Sequence, residues 1–149
     1  MIKNILFIIT LFLISACSNG PKEINYGNDN CDNCTMTITE KPYATEVVTD
    51  KGKVHKFDST ECMLSYINEN ADVTYDQLLT ATMDNPGPLL DATQCTYLIS
   101  SNLPSPMGAN ITAYSTQEFA EKAQAEYGGD IFSFNELRNI FKDNHTHAH

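Results

Sequence analysis

The chain has 149 residues, a formal net charge of −10 at pH 7, and a hydrophobic content of 42%. An acidic surface repels phosphate backbones, so we expect no nucleic-acid partner. A chain of this length can form one compact unit or two small lobes that share a core.

The amino terminus has the pattern of a cleaved signal peptide over residues 1–16. Lys3 precedes an apolar run, Ile5 to Ile14, that is too short to hold the chain stably across a membrane. The ending Ile14-Ser15-Ala16-Cys17 resembles a bacterial lipobox, in which Cys17 carries the lipid and begins the mature chain. We therefore expect a lipid-anchored protein that faces the periplasm, and Ser18 favours the outer membrane over the inner one.

The remaining chain divides by composition into a tether, two lobes and a tail. Residues 17–30 are polar and rich in turn formers, which predicts a tether, so folded structure should begin near Cys31. We expect a first ββα-type lobe over residues 31–84, a second lobe over residues 85–142, and a polar His-bearing tail over residues 143–149.

The first lobe begins with a predicted hairpin. Residues 43–49 and 54–57 are rich in β-branched and apolar side chains, and they flank a glycine-containing turn. A helix should follow directly, because Asp58 or Ser59 can cap it and Glu61 can close a capping box from Asp58. Its apolar stripe consists of Met63, Leu64 and Ile67.

The second half contains two predicted strands and two predicted helices. The strands are Gln77 to Met83 and Cys95 to Ser100. One helix should run from Ser115 to the glycine pair at Gly128, and Ser133 with Glu136 repeats the capping signal for a last helix. The apolar sides of these helices consist of Phe119, Ala123 and Tyr127 and of Leu137, Ile140 and Phe141.

A faint internal repeat bears on the fold class. The stretches from Met36 to Phe57 and from Met107 to Phe132 each run from a methionine to an aromatic residue that precedes a capping signal. Either chance or duplication can produce such an echo. Duplication predicts two related strand-and-helix lobes that share a cleft, with one thioether contributed by each lobe.

The candidate functional residues begin with the sulfur-rich segment Cys31-Asp32-Asn33-Cys34-Thr35-Met36. Thiolate and thioether ligands favour Cu(I) over hard cations. Residues two apart on an extended segment point to the same side, so Cys34 and Met36 can reach one ion, and Cys31 can join by folding back. Two or three such ligands allow copper to be passed on by ligand exchange, which predicts a metallochaperone and not an enzyme.

Two other interpretations of Cys31 and Cys34 stay open. A Cys-x-x-Cys pair outside the cytoplasm can be a thiol–disulfide oxidoreductase site, although the β-branched residues 35–39 predict a strand where such a site has a helix. The pair can also form a structural disulfide in a binding or structural lipoprotein.

The other sulfur residues have plainer interpretations. Cys62 lies in a predicted helix and Cys95 in a predicted strand, where buried cysteines act as small hydrophobes more often than as ligands. Met63 and Met83 are expected in the core. Met107 differs, because Pro104, Pro106 and Gly108 should hold it on a rigid, solvent-facing turn.

The histidines are weaker candidates. His145, His147 and His149 alternate along the tail, a spacing that can chelate divalent metals even from a disordered segment, although a solvated tail without a role is commoner. His55 lies in a predicted strand and is expected to be structural.

Taken together, these motifs resemble the NosL family of lipoprotein copper chaperones. The resemblance rests on the lipobox, on the sulfur-rich segment and on several later stretches. Those stretches are Phe57-Asp58-Ser59-Thr60-Glu61-Cys62-Met63-Leu64, Asp91-Ala92-Thr93-Gln94-Cys95-Thr96-Tyr97-Leu98, Pro106-Met107-Gly108 and Gly128-Gly129-Asp130-Ile131-Phe132.

The resemblance implies that Cu(I) is held by Cys34, Met36 and Met107, with Cys31 supported more by local chemistry than by the family pattern. It also implies an α+β fold of two small related ββα-type lobes that share a cleft, and delivery of copper to nitrous oxide reductase and its assembly machinery. The protein is expected as a monomer or a metal-bridged dimer, since open Cys and Met sites can share one ion. Thr35 stands where the family usually has Gly, and this departure leaves room for a different copper enzyme as acceptor.

Overall fold

The computed structural model describes residues 20–146, with side chains described through Lys142. The predicted leader, the lipidation site Cys17, His147 and His149 lie outside the described residues, as does the side chain of His145. The elements are β1 (Thr45–Thr49), β2 (Val54–Phe57), α1 (Thr60–Glu69), β3 (Tyr75–Thr80), β4 (Leu90–Asp91), β5 (Thr96–Ile99), β6 (Ile111–Tyr114), α2 (Gln117–Tyr127), β7 (Asp130–Ser133) and α3 (Phe134–Thr146).

The strands form two small antiparallel sheets with the orders β2-β1-β3-β4 and β6-β5-β7. In each sheet a hairpin leads into a helix, and the next strand returns to the free side of the hairpin's first strand. The two sheets therefore have the same ββαβ topology. The predicted α+β fold class is confirmed.

The topology gives the internal repeat a different register from the one that the sequence suggested. Phe57 ends β2 before α1, and Tyr114 ends β6 before α2. Each helix is then capped by a hydroxyl, Ser59 or Thr116, that accepts a hydrogen bond from the backbone amide three residues later. Matching Phe57 with Phe132 is thus wrong, because Phe132 lies in β7 and has its counterpart in β3.

One principal core joins the two sheets. Its buried side chains come from β2 and α1 on one side and from β5, β6 and α3 on the other. Among the largest are Phe57, Leu64, Ile67, Tyr97, Ile111 and Leu137. The first sheet extends past the expected lobe boundary at residue 84, because β4 pairs with β3 through Leu79 and Asp91.

The folded part begins earlier than the tether prediction allowed. Ile24 is only 7% exposed and belongs to the core, and the amide of Lys22 donates to Glu46 of β1. Gly27 and Asn30 then pair with the segment around Ile38. Polar composition suggested a tether through residue 30, but tertiary contacts order the chain from about Lys22 onward.

The helices differ from their predicted forms in detail. Ser59 caps α1 as expected, but Glu61 does not close a capping box, because its carboxylate accepts from Ser105 instead. In α2 the buried residues are Ala120 and Ala123, whereas Phe119 is exposed. Among the described residues, none of the helices has the length and apolar character needed to span a bilayer.

The last helix is capped as the sequence predicted. The Ser133 hydroxyl and the Glu136 carboxylate exchange hydrogen bonds with each other's backbone amides, which is a capping box. The helix runs through Thr146, so the first part of the predicted tail is helical.

Candidate metal centre

Three thiols and one carboxylate converge at the amino end of α1. The sulfur atoms of Cys31, Cys34 and Cys62 and a carboxylate oxygen of Asp58 all lie within 4.8 Å of one another. Cys31, Cys62 and Asp58 are buried, and Cys34 is partly exposed. Softness of the sulfur atoms and their closeness make this cluster a candidate site for a thiophilic metal.

The first two thiols lie on a tight loop and not on a strand. The amide of Cys31 donates to the Met36 carbonyl over 2.8 Å, and the amide of Thr35 donates to the Cys31 carbonyl over 2.9 Å. Thr35 adopts a left-handed conformation with φ of 66°. The strand predicted over residues 35–39 is therefore wrong, and Cys34 and Met36 do not share a side through strand alternation.

Asp32 fastens this loop to β2. Its amide donates to the Lys56 carbonyl over 2.8 Å, and its carboxylate accepts from the Lys56 amide over 3.0 Å. The same carboxylate lies 3.2 Å from Nδ1 of His55, whose Nε2 lies 2.9 Å from the Tyr66 hydroxyl. His55 thus helps to hold the loop, in keeping with its expected structural role.

Mutual hydrogen bonding separates the thiols by acidity. The Cys62 thiol and the amide of Cys34 donate to the Cys31 sulfur, which lowers the pKa of Cys31 to about 6 despite burial. The same bond to Cys31, together with burial, raises the pKa of Cys62. Burial raises the pKa of Cys34 to about 11. Among the three thiols, the thiolate form is therefore most favoured at Cys31.

Asp58 completes the cluster from the junction between β2 and α1. One of its carboxylate oxygens lies 3.4 Å from the Cys34 sulfur, and the other accepts from the Ser59 hydroxyl over 3.2 Å. Ser59 itself caps α1 through the amide of Cys62. The cap of the helix thus sets the positions of both Asp58 and Cys62.

The two predicted thioether ligands are exposed: Met36 by 54% and Met107 by 41%. Met36 follows the cluster directly on the Cys31 loop. Met107 lies in a turn in which the amide of Gly108 donates to the Ser105 carbonyl over 3.0 Å. The hydroxyl of that Ser105 donates to Glu61 in the first turn of α1. Both methionines therefore belong to loops that are fixed to the same end of one helix.

Sequence reasoning missed two members of the cluster. Cys62 is buried, as a small hydrophobe would be, yet its thiol forms a hydrogen bond with the Cys31 sulfur. The sequence presents Asp58 only as a possible helix cap. The sequence did contain a signal for both residues, because Asp58 and Cys62 flank the start of a predicted capped helix that directly follows a predicted hairpin. Cys95 is buried outside the cluster, as expected, and burial raises its pKa to about 11.

The four cysteines within residues 20–146 are free thiols. Thiols this close can be reduced or oxidised, so the redox pair and the structural disulfide both stay predictions. The free trio together with Asp58 can bind a metal through sulfur, and its partly exposed member, Cys34, gives incoming ligands a point of attack.

Comparisons with known proteins also indicate the NosL family. The model of the NosL family matches residues 21–140. The copper-binding lipoprotein NosL of Stutzerimonas stutzeri is 28% identical over 120 residues, which take in 75% of this chain and 63% of that protein. The chain thus spans less than two thirds of that relative's length.

A solved structure shares the fold. The crystal structure of the copper chaperone NosL from Shewanella denitrificans superposes with a TM-score of 0.69 at 24% identity, covering 79% of this chain and 95% of that one. The family match takes in most of the chain, from before the cluster to α3. This protein therefore belongs to the NosL family.

Proposed function

We propose that this protein is a lipid-anchored copper(I) chaperone that works outside the cytoplasm and passes its ion on by ligand exchange. The observation that carries the proposal is the Cys31 loop itself, which brings the buried thiol of Cys31, the partly exposed thiol of Cys34 and the exposed thioether of Met36 together within six residues. Buried sulfur can retain a soft ion, whereas exposed sulfur can offer it to an acceptor.

The proposed copper ligands are Cys34, Met36 and Met107, with Cys31 as an additional thiol. Cys34 is the partly exposed member of the cluster, and it lies between the buried Cys31 and the exposed Met36 along the loop. Glu61 and Ser105 fasten the Met107 turn to the helix end that carries the cluster. Copper in its reduced state suits such a set, because Cu(I) accepts two or three sulfur ligands without a rigid cage.

The name of the Shewanella denitrificans relative describes a copper chaperone, and that of the Stutzerimonas stutzeri relative describes a copper-binding lipoprotein. By family resemblance we propose nitrous oxide reductase and its assembly machinery as the acceptor. Transfer would involve no covalent chemistry on a substrate, so the protein is proposed as a carrier and not as an enzyme. The acidic chain suits a cationic cargo.

One observation favours a second candidate function, a thiol–disulfide oxidoreductase. The pKa of Cys31 is lowered to about 6, chiefly by the Cys62 thiol, and a low thiol pKa is typical of attacking cysteines. However, Cys31 is buried and lies on a closed loop, so a protein disulfide would reach it poorly. Activity of this kind would survive the loss of Met36 and Met107, whereas copper transfer would not.

Competitive titration tests the chaperone proposal. The full chain, purified in detergent and kept reduced, is titrated with Cu(I) against a chromophoric chelator. We expect stoichiometric uptake that weakens by at least about 100-fold in Cys34→Ala, since loss of a ligand should cost more than loss of a supporting contact. Cys95→Ala removes a buried thiol outside the cluster and should bind as the parent does. Equal affinity in Cys34→Ala and Cys95→Ala would overturn the proposal.

A further inference from the structure

We propose that a groove on the outer face of the first sheet docks the protein onto the membrane surface, with Lys22 and Lys41 bound to the phosphate groups of anionic phospholipids. The outer face is the face of the sheet that is turned away from the principal core. The inference rests on the lipid anchor at Cys17, which belongs to the function proposed above. It does not depend on copper binding.

Strand alternation places the groove on the opposite face of the first sheet from α1. Leu78 of β3 packs against the principal core, to which α1 contributes several side chains. Gln77 and Leu79 flank Leu78 in the strand, so their side chains point to the outer face, where both line the groove. Cys31 and Cys62 belong to the core. The thiol cluster therefore lies on the other side of the sheet from the groove.

The groove has a volume of about 610 Å³ and combines apolar walls with two cations. Residues 21–26 form one side, and the loop before β4 forms the other. Such a lining suits the interfacial zone of a bilayer, where tyrosine and leucine side chains lie beside charged headgroups. The apolar side chains are those of Ile24, Tyr26, Leu79 and Leu89, and the cations are those of Lys22 and Lys41.

The two lysines of the groove are available to bind an anion. Both are exposed, and neither forms an ion pair within the part of the chain whose side chains are described, in contrast to Lys56 and Lys122. The Lys41 ammonium lies 5.5 Å from the centre of the Tyr26 ring, a cation–π contact that holds it at the groove wall. Among the described residues that line the groove, Glu23 alone is acidic, so positive charge is in excess there. This local charge complements the negative surface of an anionic membrane.

The segment that enters the groove is fixed to the sheet close to the proposed anchor. The Lys22 amide donates to the buried Glu46 of β1 over 2.9 Å, and the Lys56 ammonium donates to the Glu23 carbonyl. Lys22 follows Cys17 by five residues, and each residue extends the chain by at most about 3.6 Å. The anchor therefore lies within about 18 Å of Lys22, whereas a domain of this size is about 35 Å across. A tether this short keeps the groove near the bilayer and the far side of the molecule away from it.

Docking through the groove would orient the metal centre. With the groove against the headgroups, α1 and the thiol cluster would lie on the side of the sheet that faces away from the bilayer. A copper(I) acceptor would then reach the Cys31 loop without competition from lipid. The groove therefore gives the anchored end of the protein an orienting role besides retention at the membrane.

Lysine footprinting in vesicles tests the docking. The lipidated full chain is reconstituted into vesicles of phosphatidylcholine and phosphatidylglycerol in equal parts, labelled with a membrane-impermeant amine reagent, and digested for mass spectrometry. We expect labelling of Lys22 and Lys41 to slow by at least about fivefold relative to vesicles of phosphatidylcholine alone, because a lysine at an anionic surface gains about that factor in binding. Lys51 and Lys53 are also exposed but lie at the β1–β2 turn, so their labelling should be the same in both vesicles.

Matched variants separate the groove from overall charge. Lys22→Gln/Lys41→Gln and Lys51→Gln/Lys53→Gln each remove two positive charges, and far-ultraviolet circular dichroism checks that both are folded. Backbone hydrogen exchange of residues 84–91, which border the groove, reports docking without lysine chemistry. We expect anionic vesicles to slow this exchange in the parent and in Lys51→Gln/Lys53→Gln, and we expect the protection to be lost in Lys22→Gln/Lys41→Gln. Protection that persists in the groove variant would overturn the proposal.

The remaining outcomes distinguish docking from the proposed function. Unchanged labelling of Lys22 and Lys41 in a chain that carries the lipid would overturn the docking alone. Equal protection by phosphatidylcholine, or by inorganic phosphate added in detergent, would also overturn it, because the first needs no headgroup charge and the second needs no membrane. The mass of the amino-terminal peptide shows whether Cys17 carries the lipid. Its absence would overturn the anchor together with the docking, whereas copper(I) uptake is titrated independently of both.

Discussion

Thr35 shows how one residue controls the loop that carries the thiols. Its φ of 66° is a conformation that β-branched residues rarely adopt, and it allows the chain to close the hydrogen bond between the Cys31 amide and the Met36 carbonyl. A strained residue of this kind costs roughly 1–3 kcal/mol and persists only where surrounding contacts hold it. The contacts of Asp32 with His55 and Lys56 therefore help to offset the free-energy cost of the left-handed conformation at Thr35.

Replacing Thr35 with Gly should relieve this strain. We expect Thr35→Gly to raise the free energy of unfolding by about 1 kcal/mol, since the relief exceeds the additional chain entropy of glycine. Urea denaturation of the metal-free protein measures the change. Asn110→Gly is the matched control, because Asn110 has φ of 61° but is a residue type that tolerates this conformation, so its gain should be smaller. A destabilised Thr35→Gly variant would show that the threonine side chain makes contacts worth more than the strain.

At the scale of the element, the amino end of α1 organises the candidate site. Its cap places Asp58 and Cys62, and its first turn carries Glu61, which is buried and accepts a hydrogen bond from Ser105. The Ser105 hydroxyl also accepts from the amide of Asn110 over 2.8 Å, so it closes the loop that bears Met107. The amino end of α1 therefore connects the Cys31 loop to the loop that bears Met107.

Removing the hydroxyl of Ser105 should loosen this connection. We expect Ser105→Ala to lower the free energy of unfolding by about 1–2 kcal/mol, because two hydrogen bonds to a buried hydroxyl are lost. For the proposed ligand set, copper(I) affinity should fall by up to about tenfold, since the turn that bears Met107 would no longer be fastened to the first turn of α1. Ser133→Ala removes a helix cap on α3 and should cost similar stability without changing copper affinity. Parallel losses of copper affinity in both variants would rule out a specific role for Ser105.

At the scale of the whole molecule, most of the features that the sequence predicts correctly depend on neighbouring residues, although the strand predicted over residues 35–39 is a local prediction that proves wrong. The β1–β2 hairpin and the caps at Ser59 and Ser133 depend on neighbouring residues, so the sequence predicts them. The strands β4, β6 and β7 have two to four residues each, and pairing with distant partners defines them. Cys62 was missed for the same reason, because its partner Cys31 is brought to it only by the fold.

The tether prediction failed through the same limitation. The mostly polar composition around Ile24 does not indicate that Ile24 is buried in the core or that Tyr26 packs against it, and no local pattern predicts the hydrogen bond between Lys22 and Glu46. Thus the sequence alone indicates the sulfur residues of the Cys31 loop, whereas Asp58 and Cys62 join the cluster only through the topology.

The buried carboxyls make the stability of the whole molecule depend on pH. Burial raises the pKa of Glu46, against the opposing effects of Lys22 and Lys56, and burial also raises the pKa of Glu61. A carboxyl whose pKa is higher in the folded protein binds more protons there, so stability falls as pH rises from the usual value of about 4.3 through the raised value. The pKa values of Asp29, Glu118 and Glu136 are lowered, so the titration of these carboxyls changes the stability of the protein only at more acidic pH.

The lowered pKa of Cys31 acts in the opposite direction to the buried carboxyls, because it makes the metal-free protein less stable as pH falls through about 6. We therefore expect the Cys31→Ser protein, which lacks this group, to become more stable as pH is lowered from 7 toward about 5, in urea denaturation measured at a series of pH values. Relief of the repulsion within a chain of net charge −10 acts in the same direction. The carboxyl variants are made in this Cys31→Ser parent. Glu46→Gln separates the two effects, because it removes a buried ionisable group that is remote in sequence from the thiols and keeps an acceptor for the Lys22 amide. Its stability should change less with pH than that of the parent, and Glu69→Gln, on the last turn of α1, should leave the pH dependence nearly unchanged. Curves for Glu46→Gln that run parallel to those of the parent would assign the pH dependence to surface repulsion and not to the buried carboxyl.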